Sequence, residues 1–234
     1  MGNNSVEKWQ EYSKRINIKE LIKSVENIPY FQKWLAEIIN SKYKTNSEVI
    51  EIWCEFWTTS LILNDNFNKT LLDFDDIAIE KAKNLFNHYW KKANFTNQDM
   101  FNMNFWNKKF DIVFNAWVLE HFNFSERVTL LKKYNEILKE NWLMIIAIPN
   151  HYNILYKMAY ILLNLIWKWS FPKENKIYNL SKEIEQAWLK LISRKTIDKE
   201  NIFTIWGSLG NILKKLFLPI MNEWYLTILE IKKP

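Results

Sequence analysis

Glycine is nearly missing from this chain. Only 3 of its 234 residues are glycine, where an average usage near 7% would give about 16. Few positions can therefore enter φ > 0 without strain, and tight turns that need that conformation lack their usual residue. Tryptophan is in excess, with 13 copies, about the size of the glycine deficit. Cysteine is reduced to Cys54, which excludes an internal disulfide and a cysteine-based metal site and fits a reducing compartment. No apolar leader stands in MGNNSVEKWQEYSK, so a cytoplasmic location is expected. The most apolar stretch, Tyr152–Phe171, is too short and too interrupted for a membrane span. The net charge of +6 comes from lysines spread along the chain, a solvated surface rather than a groove, and no nucleic-acid partner is expected.

What is present is an ordinary globular mixture, 48% hydrophobic and 25% charged, enough for one sizeable domain. Residues 5–42 carry apolar positions at helical spacing (Ile16, Ile18, Leu21, Ile22, then Phe31, Trp34, Leu35, Ile38, Ile39) interrupted at Pro29, predicting two helices. Short apolar runs at Val49–Trp53, Thr70–Phe74, Phe110–Asn115 and Leu143–Ile148 then alternate with helical stretches near Thr58–Asn64, Ile77–Lys92 and Ser125–Lys139. Continuous apolar strands separated by helices imply a parallel sheet covered on both faces. Leu189–Ile197 and Tyr225–Ile231 read as two further strands. The reading is one doubly wound α/β domain: N-terminal helices over 1–44, a core over 45–150, a helical cap over 151–185 and closing strands over 186–234.

In such a sheet, ligands sit beyond the carboxyl ends of the strands, near the point where strand order reverses. The loop after the first strand reads Glu51-Ile-Trp53-Cys54-Glu55-Phe-Trp57. With glycine at 53 and 57 it resembles the first motif of class I S-adenosylmethionine-dependent methyltransferases. Four more pieces follow in that family's order: Leu71-Leu72-Asp73-Phe74-Asp75, Asn97-Gln98-Asp99-Met100, Phe110–Asn115 continuing to Leu119-Glu120-His121, and Leu138–Met144 with Pro149-Asn150. The resemblance spans residues 45–150 and implies a Rossmann-like, mostly parallel seven-stranded sheet, S-adenosylmethionine as cofactor, and methyl transfer to a small molecule. It implies cofactor contacts from Glu51, Trp53, Cys54, Trp57, Asp73, Phe74, Asp99, Met100 and Asn115. Asp73 would accept the ribose hydroxyls and Asp99 the adenine amino group. The plainer alternatives are that Asp75 or Asp76 binds the ribose while Asp73 caps a helix, and that Cys54 is buried filler.

His121 lies where a methyl acceptor belongs and is the candidate general base; the alternative is a pocket wall. His88 and His151 lack ligand-like spacing with it, so no metal is expected. Tyr152–Phe171, and Asn211–Asn222 after it, read as a lid, a buried cap or a helix at a membrane surface. The last option would suit a lipid-like or quinone-like acceptor.

The departures from the family are of one kind. Trp53, Trp57, Trp117, Trp142 and Trp188 stand where the family has glycine, and Trp106 reads as a sixth case. The neighbours of each are intact, which random drift does not produce. Either a UGA codon meaning glycine in the source is read here as tryptophan, or the tryptophans are genuine and plug the cofactor site. The second option makes the chain a non-catalytic scaffold.

Overall fold

The structure, a computed structural model, describes residues 3–42, 45–55, 59–165, 172–197, 203, 206, 209–219 and 226–234. Three helices open the chain: α1 (Asn3–Arg15), α2 (Ile18–Glu26) and α3 (Tyr30–Lys42). The expected pair of helices is thus three. The extra break is a capping box, in which Asn17 accepts from the amide of Lys19 and Glu20 reaches back to the amide of Asn17. Apolar spacing runs straight through such a box, so periodicity alone misses it. The break at Pro29 is found, with the Pro29 carbonyl accepting from Gln32 and Lys33 at the start of α3.

The core follows as β1 (Glu48–Ile52), β2 (Asn68–Asp73), α4 (Asp76–His88), β3 (Asn94–Asn97), β4 (Phe110–Ala116), α5 (Phe124–Ile137) and β5 (Leu138–Pro149). After it come α6 (Ile154–Leu165), α7 (Ser181–Gln186), β6 (Lys190–Ile197), α8 (Gly210–Phe217) and β7 (Leu226–Lys232). The seven strands make one sheet in the order β3-β2-β1-β4-β5-β7-β6. The first five are parallel and β7 runs antiparallel to both β5 and β6. The expected helix over Thr58–Asn64 is only a 3-10 turn at Ser60–Ile62 among its described residues. Strand β3 was not foreseen, because Phe95 is the one apolar residue of this edge strand.

Alternation along the strands divides the core. Val49, Ile112, Phe114, Leu143, Ile145 and Ala147 face α3, while Ile50, Ile52, Val113, Met144, Ile146 and Ile148 pack with α5 and α7. Helix α4 sits with α2 over Leu71. Both sheet faces are therefore covered, which is why the strands read as continuous apolar runs.

Eight described non-glycine residues have positive φ, and five are tryptophan: Trp53 (58°), Trp90 (55°), Trp106 (54°), Trp117 (61°) and Trp188 (56°). The other three are Asn46, Glu55 and Asn141, of which asparagine tolerates this region. A side chain in the left-handed region costs about 1–2 kcal/mol. Two of these tryptophans stop helices. At the end of α4 the Trp90 amide donates to Asn87 and the Lys91 amide to Phe86; at the end of α7 the Trp188 amide donates to Glu185 and the Leu189 amide to Ile184. Both are Schellman motifs with tryptophan in the position glycine normally takes. Trp142, expected among the glycine-like positions, is not left-handed; its neighbour Asn141 carries that turn at 63°. Trp57 lies outside the described residues.

Trp90, Trp106 and Trp188 are 94%, 89% and 77% exposed, so glycine there relieves the backbone without removing packing. The triple variant Trp90→Gly, Trp106→Gly, Trp188→Gly is expected to melt roughly 5 °C or more above the parent, as read by circular dichroism.

Candidate functional site

Strand order reverses between β1 and β4, and the loops beyond their carboxyl ends meet there. The chain leaves β1 through Trp53 and Glu55, both left-handed. The Cys54 amide donates to the Leu72 carbonyl and the Glu55 amide to Asp73 Oδ2 at 2.6 Å. The second oxygen of Asp73 accepts from the Asp75 amide at 2.9 Å. Asp73 therefore clamps the loop after β1 to the loop after β2. It is buried at the tip of its strand, and burial pushes its carboxyl up to about 7. Asp75 caps α4 through the Ile77 amide. Glu51, also fully buried, accepts from the Ser60 amide at 3.2 Å and so fixes the far side of the loop. Burial raises its carboxyl to about 8.

Beside these carboxylates lies a cleft of about 230 Å³ lined by Trp53, Phe74, Gln98, Asp99, Met100 and Phe101, with Val6 of α1 at its rim. That is smaller than the roughly 300–1,000 Å³ of ordinary ligand pockets. The Trp53 indole forms one wall of the cleft and is only 7% exposed. It packs edge-on against Trp9 of α1 (5.4 Å) and Phe74 (5.6 Å), and tilted against Phe122 (5.7 Å). The expected site residues Trp53, Phe74, Asp99 and Met100 thus share one cleft, with Glu51, Cys54 and Asp73 beneath it in the loop framework. Cys54 is buried against α4 and α2, and burial raises its thiol well above the usual range. Asp99 is exposed, and its two oxygens hold the amide of Phe101 and the side chain of Asn102. Asn115 is buried inside β4 and donates to Tyr134 of α5 at 3.0 Å; the Tyr134 hydroxyl reaches Met100 Sδ at 3.6 Å. That chain of contacts sets the position of Met100 from the sheet.

On the β4 and β5 side, a second group of polar side chains is buried. His121 ends the 3-10 turn Leu119–His121, with its ring 5.3 Å from that of Trp9. Its Nδ1 has no hydrogen-bond partner among the described residues, and burial lowers its pKa, so the imidazole is neutral at pH 7. Glu120 is wholly buried with both carboxylate oxygens unpartnered among the described residues, and burial holds its carboxyl well above the ordinary value. The segment before α7 lies over this turn: Asn175 donates to the carbonyls of Glu120 and Phe122. Glu174 accepts from Tyr156 at 2.5 Å and contacts His151 Nε2 at 3.0 Å. Since His151 Nδ1 accepts from the Ile177 amide, Nε2 carries the proton given to Glu174. Sequence reasoning did not single out Glu174 or Tyr156, nor Trp9 as a partner of the Trp53 ring. They sit in the cap and in α1, outside every motif, and only chain crossing brings them here.

Residues 56–141 match a family model described as a methyltransferase domain. No curated protein matches the sequence significantly. Many solved structures share the fold. A TehB-like SAM-dependent methyltransferase from Corynebacterium glutamicum is 13% identical with a TM-score of 0.61, over 97% of this chain and 98% of its own. A SAM-dependent methyltransferase from Methanosarcina mazei is 16% identical with a TM-score of 0.59, over 84% and 96%. An S-adenosylmethionine-dependent methyltransferase from Clostridium acetobutylicum is 13% identical with a TM-score of 0.57, over 94% and 93%.

The raised carboxyl of Glu51 gives a pH dependence of stability. The folded chain holds the proton from the ordinary value near 4.5 up to about 8, while the unfolded chain loses it, so stability falls as pH rises through that window. Glu51→Gln keeps the acceptor for Ser60 and carries no charge. It is expected to match the parent in urea unfolding at pH 5 and to exceed it at pH 8.

Proposed function

We propose that this chain is a class I methyltransferase that transfers the methyl group of S-adenosylmethionine to a small-molecule acceptor. The observation that carries the proposal is the cleft beyond the carboxyl ends of β1, β2 and β3, with Asp73 at the tip of β2 and Asp99 just beyond β3. Phe74, Met100 and Phe101 offer an apolar slot for an adenine ring, and Asp99 a carboxylate for its amino group. Asp73 would serve the ribose after exchanging one of its loop amides for a hydroxyl donor, and the added donors would draw its pKa down. The sulfonium of the cofactor supplies an already activated methyl group. The protein's part is to align donor and acceptor in a dry cavity.

The acceptor belongs on the β4 side. A neutral His121 with an open nitrogen suits a base that takes a proton from a hydroxyl or amine as it is methylated. Glu120, His151, Tyr156 and Glu174 form a buried polar group on the same side. Exposed apolar side chains on α6 (Ile154, Met158, Ile161, Leu165) and α8 (Ile212, Leu216) favour an acceptor with an apolar body reached across this edge or from a membrane surface. Among the described residues no helix is long and apolar enough to cross a membrane.

One observation favours a second reading, a scaffold without cofactor: the buried Trp53 indole narrows a cleft already smaller than ordinary ligand pockets. Calorimetric titration with S-adenosylhomocysteine separates the two. Trp53→Gly is expected to bind, and the parent to bind weakly or not at all. In that background Asp73→Ala should weaken binding by about 1–3 kcal/mol; an unchanged affinity would move the ribose contact elsewhere. Once labelled-methyl transfer to an extract identifies an acceptor, His121→Ala should cut turnover by about 10²–10⁴ with cofactor affinity kept. A loss under about tenfold would leave His121 as a pocket wall.

A further inference from the structure

We infer that the functional protein has glycine at positions 53, 90, 106, 117 and 188, and that the tryptophans there come from UGA codons which the source cell decodes as glycine. The five φ values between 54° and 61° are the first ground. Tryptophan is bulky, and one such residue in the left-handed region is an outlier; five in one chain, in a region glycine enters freely, share one cause. The second ground is local structure. Trp90 and Trp188 hold the helix-stop position of two separate Schellman motifs, a place defined by glycine's freedom rather than by any side-chain contact.

Plugging of the cleft does not explain the set. Trp90, Trp106 and Trp188 project into solvent and plug nothing, yet they share the backbone state of Trp53 inside the cleft. Not every tryptophan belongs to the group. Trp9 lies within α1 and is buried against Tyr12, and Trp34 lies within α3 with Lys195 over its ring. Glycine inside a helix would weaken it, so these two are genuine and carry UGG.

On the methyltransferase reading, glycine at 53 lets the space of the indole join the existing cleft, and Trp9 of α1, which now packs against the Trp53 and His121 rings, becomes its cover. Glycine at 117 clears the exit of β4, where Trp117 now packs near Phe31 and Tyr156.

The gene and the protein from its own cells supply the test. UGA at codons 53, 90, 106, 117 and 188 with UGG at 9 and 34, and tryptic peptides carrying glycine at the five positions, are the expected result. UGG at any of the five, UGA at 9 or 34, or tryptophan in those peptides overturns the inference. Titration of the five-glycine protein with S-adenosylhomocysteine is read separately. Cofactor binding at least tenfold tighter than that of the all-tryptophan protein supports glycine at 53. If the codons and peptides are as expected but no binding occurs, the decoding stands and the methyltransferase reading falls.

Discussion

The left-handed backbone at the tip of β1 is the constraint on which the cleft depends. A parallel strand ending at the switch point must turn sharply so that its following residues pass beside the cleft rather than across it. Here the turn is made at residues 53 and 55. It places the amides of Cys54 and Glu55 against β2 and its aspartate. The Trp53 indole that this turn carries packs against Trp9, Phe74 and Phe122 and forms a wall of the cleft.

Two buried carboxylates hold this turn from either side. Asp73 gathers amides from the loops after β1 and β2, and Glu51 takes the amide of Ser60 beyond the loop. Neither has a cationic partner among the described residues, so burial dominates and raises both carboxyls. A ligand that brings hydroxyl donors or positive charge to this place stabilises the ionised forms. The β4 side repeats the pattern, with Glu120 buried and unpartnered among the described residues and Glu174 satisfied by Tyr156 and His151.

How much was readable in advance depended on sequence separation. The strands at 49–53, 70–74, 110–115 and 143–148 were legible because burial on both faces makes them continuously apolar. β3 was not, because an edge strand of four residues needs little apolar character. The loop acids Glu51, Asp73 and Asp99 could be picked out because each stands in a short stretch that resembles a methyltransferase motif. Trp90 escaped notice because nothing around Tyr89–Lys91 resembles a motif, and its conformation is a property of how α4 stops.

The sequence by itself determined the α/β alternation, the location of the cleft and the anomaly of glycine traded for tryptophan. All three are local patterns, set by periodicity, by residues next to strand ends and by composition. Tertiary structure decided which tryptophans stand in glycine's conformation, moving the turn at β5 from Trp142 to Asn141 and adding Trp90. It also brought Trp9 of α1 against the rings of Trp53 and His121, and Glu174 of the cap against His151 and Tyr156. Those facts depend on backbone angles and on contacts between residues far apart in the chain, and neither is fixed until the sheet has formed and its helices have packed onto it.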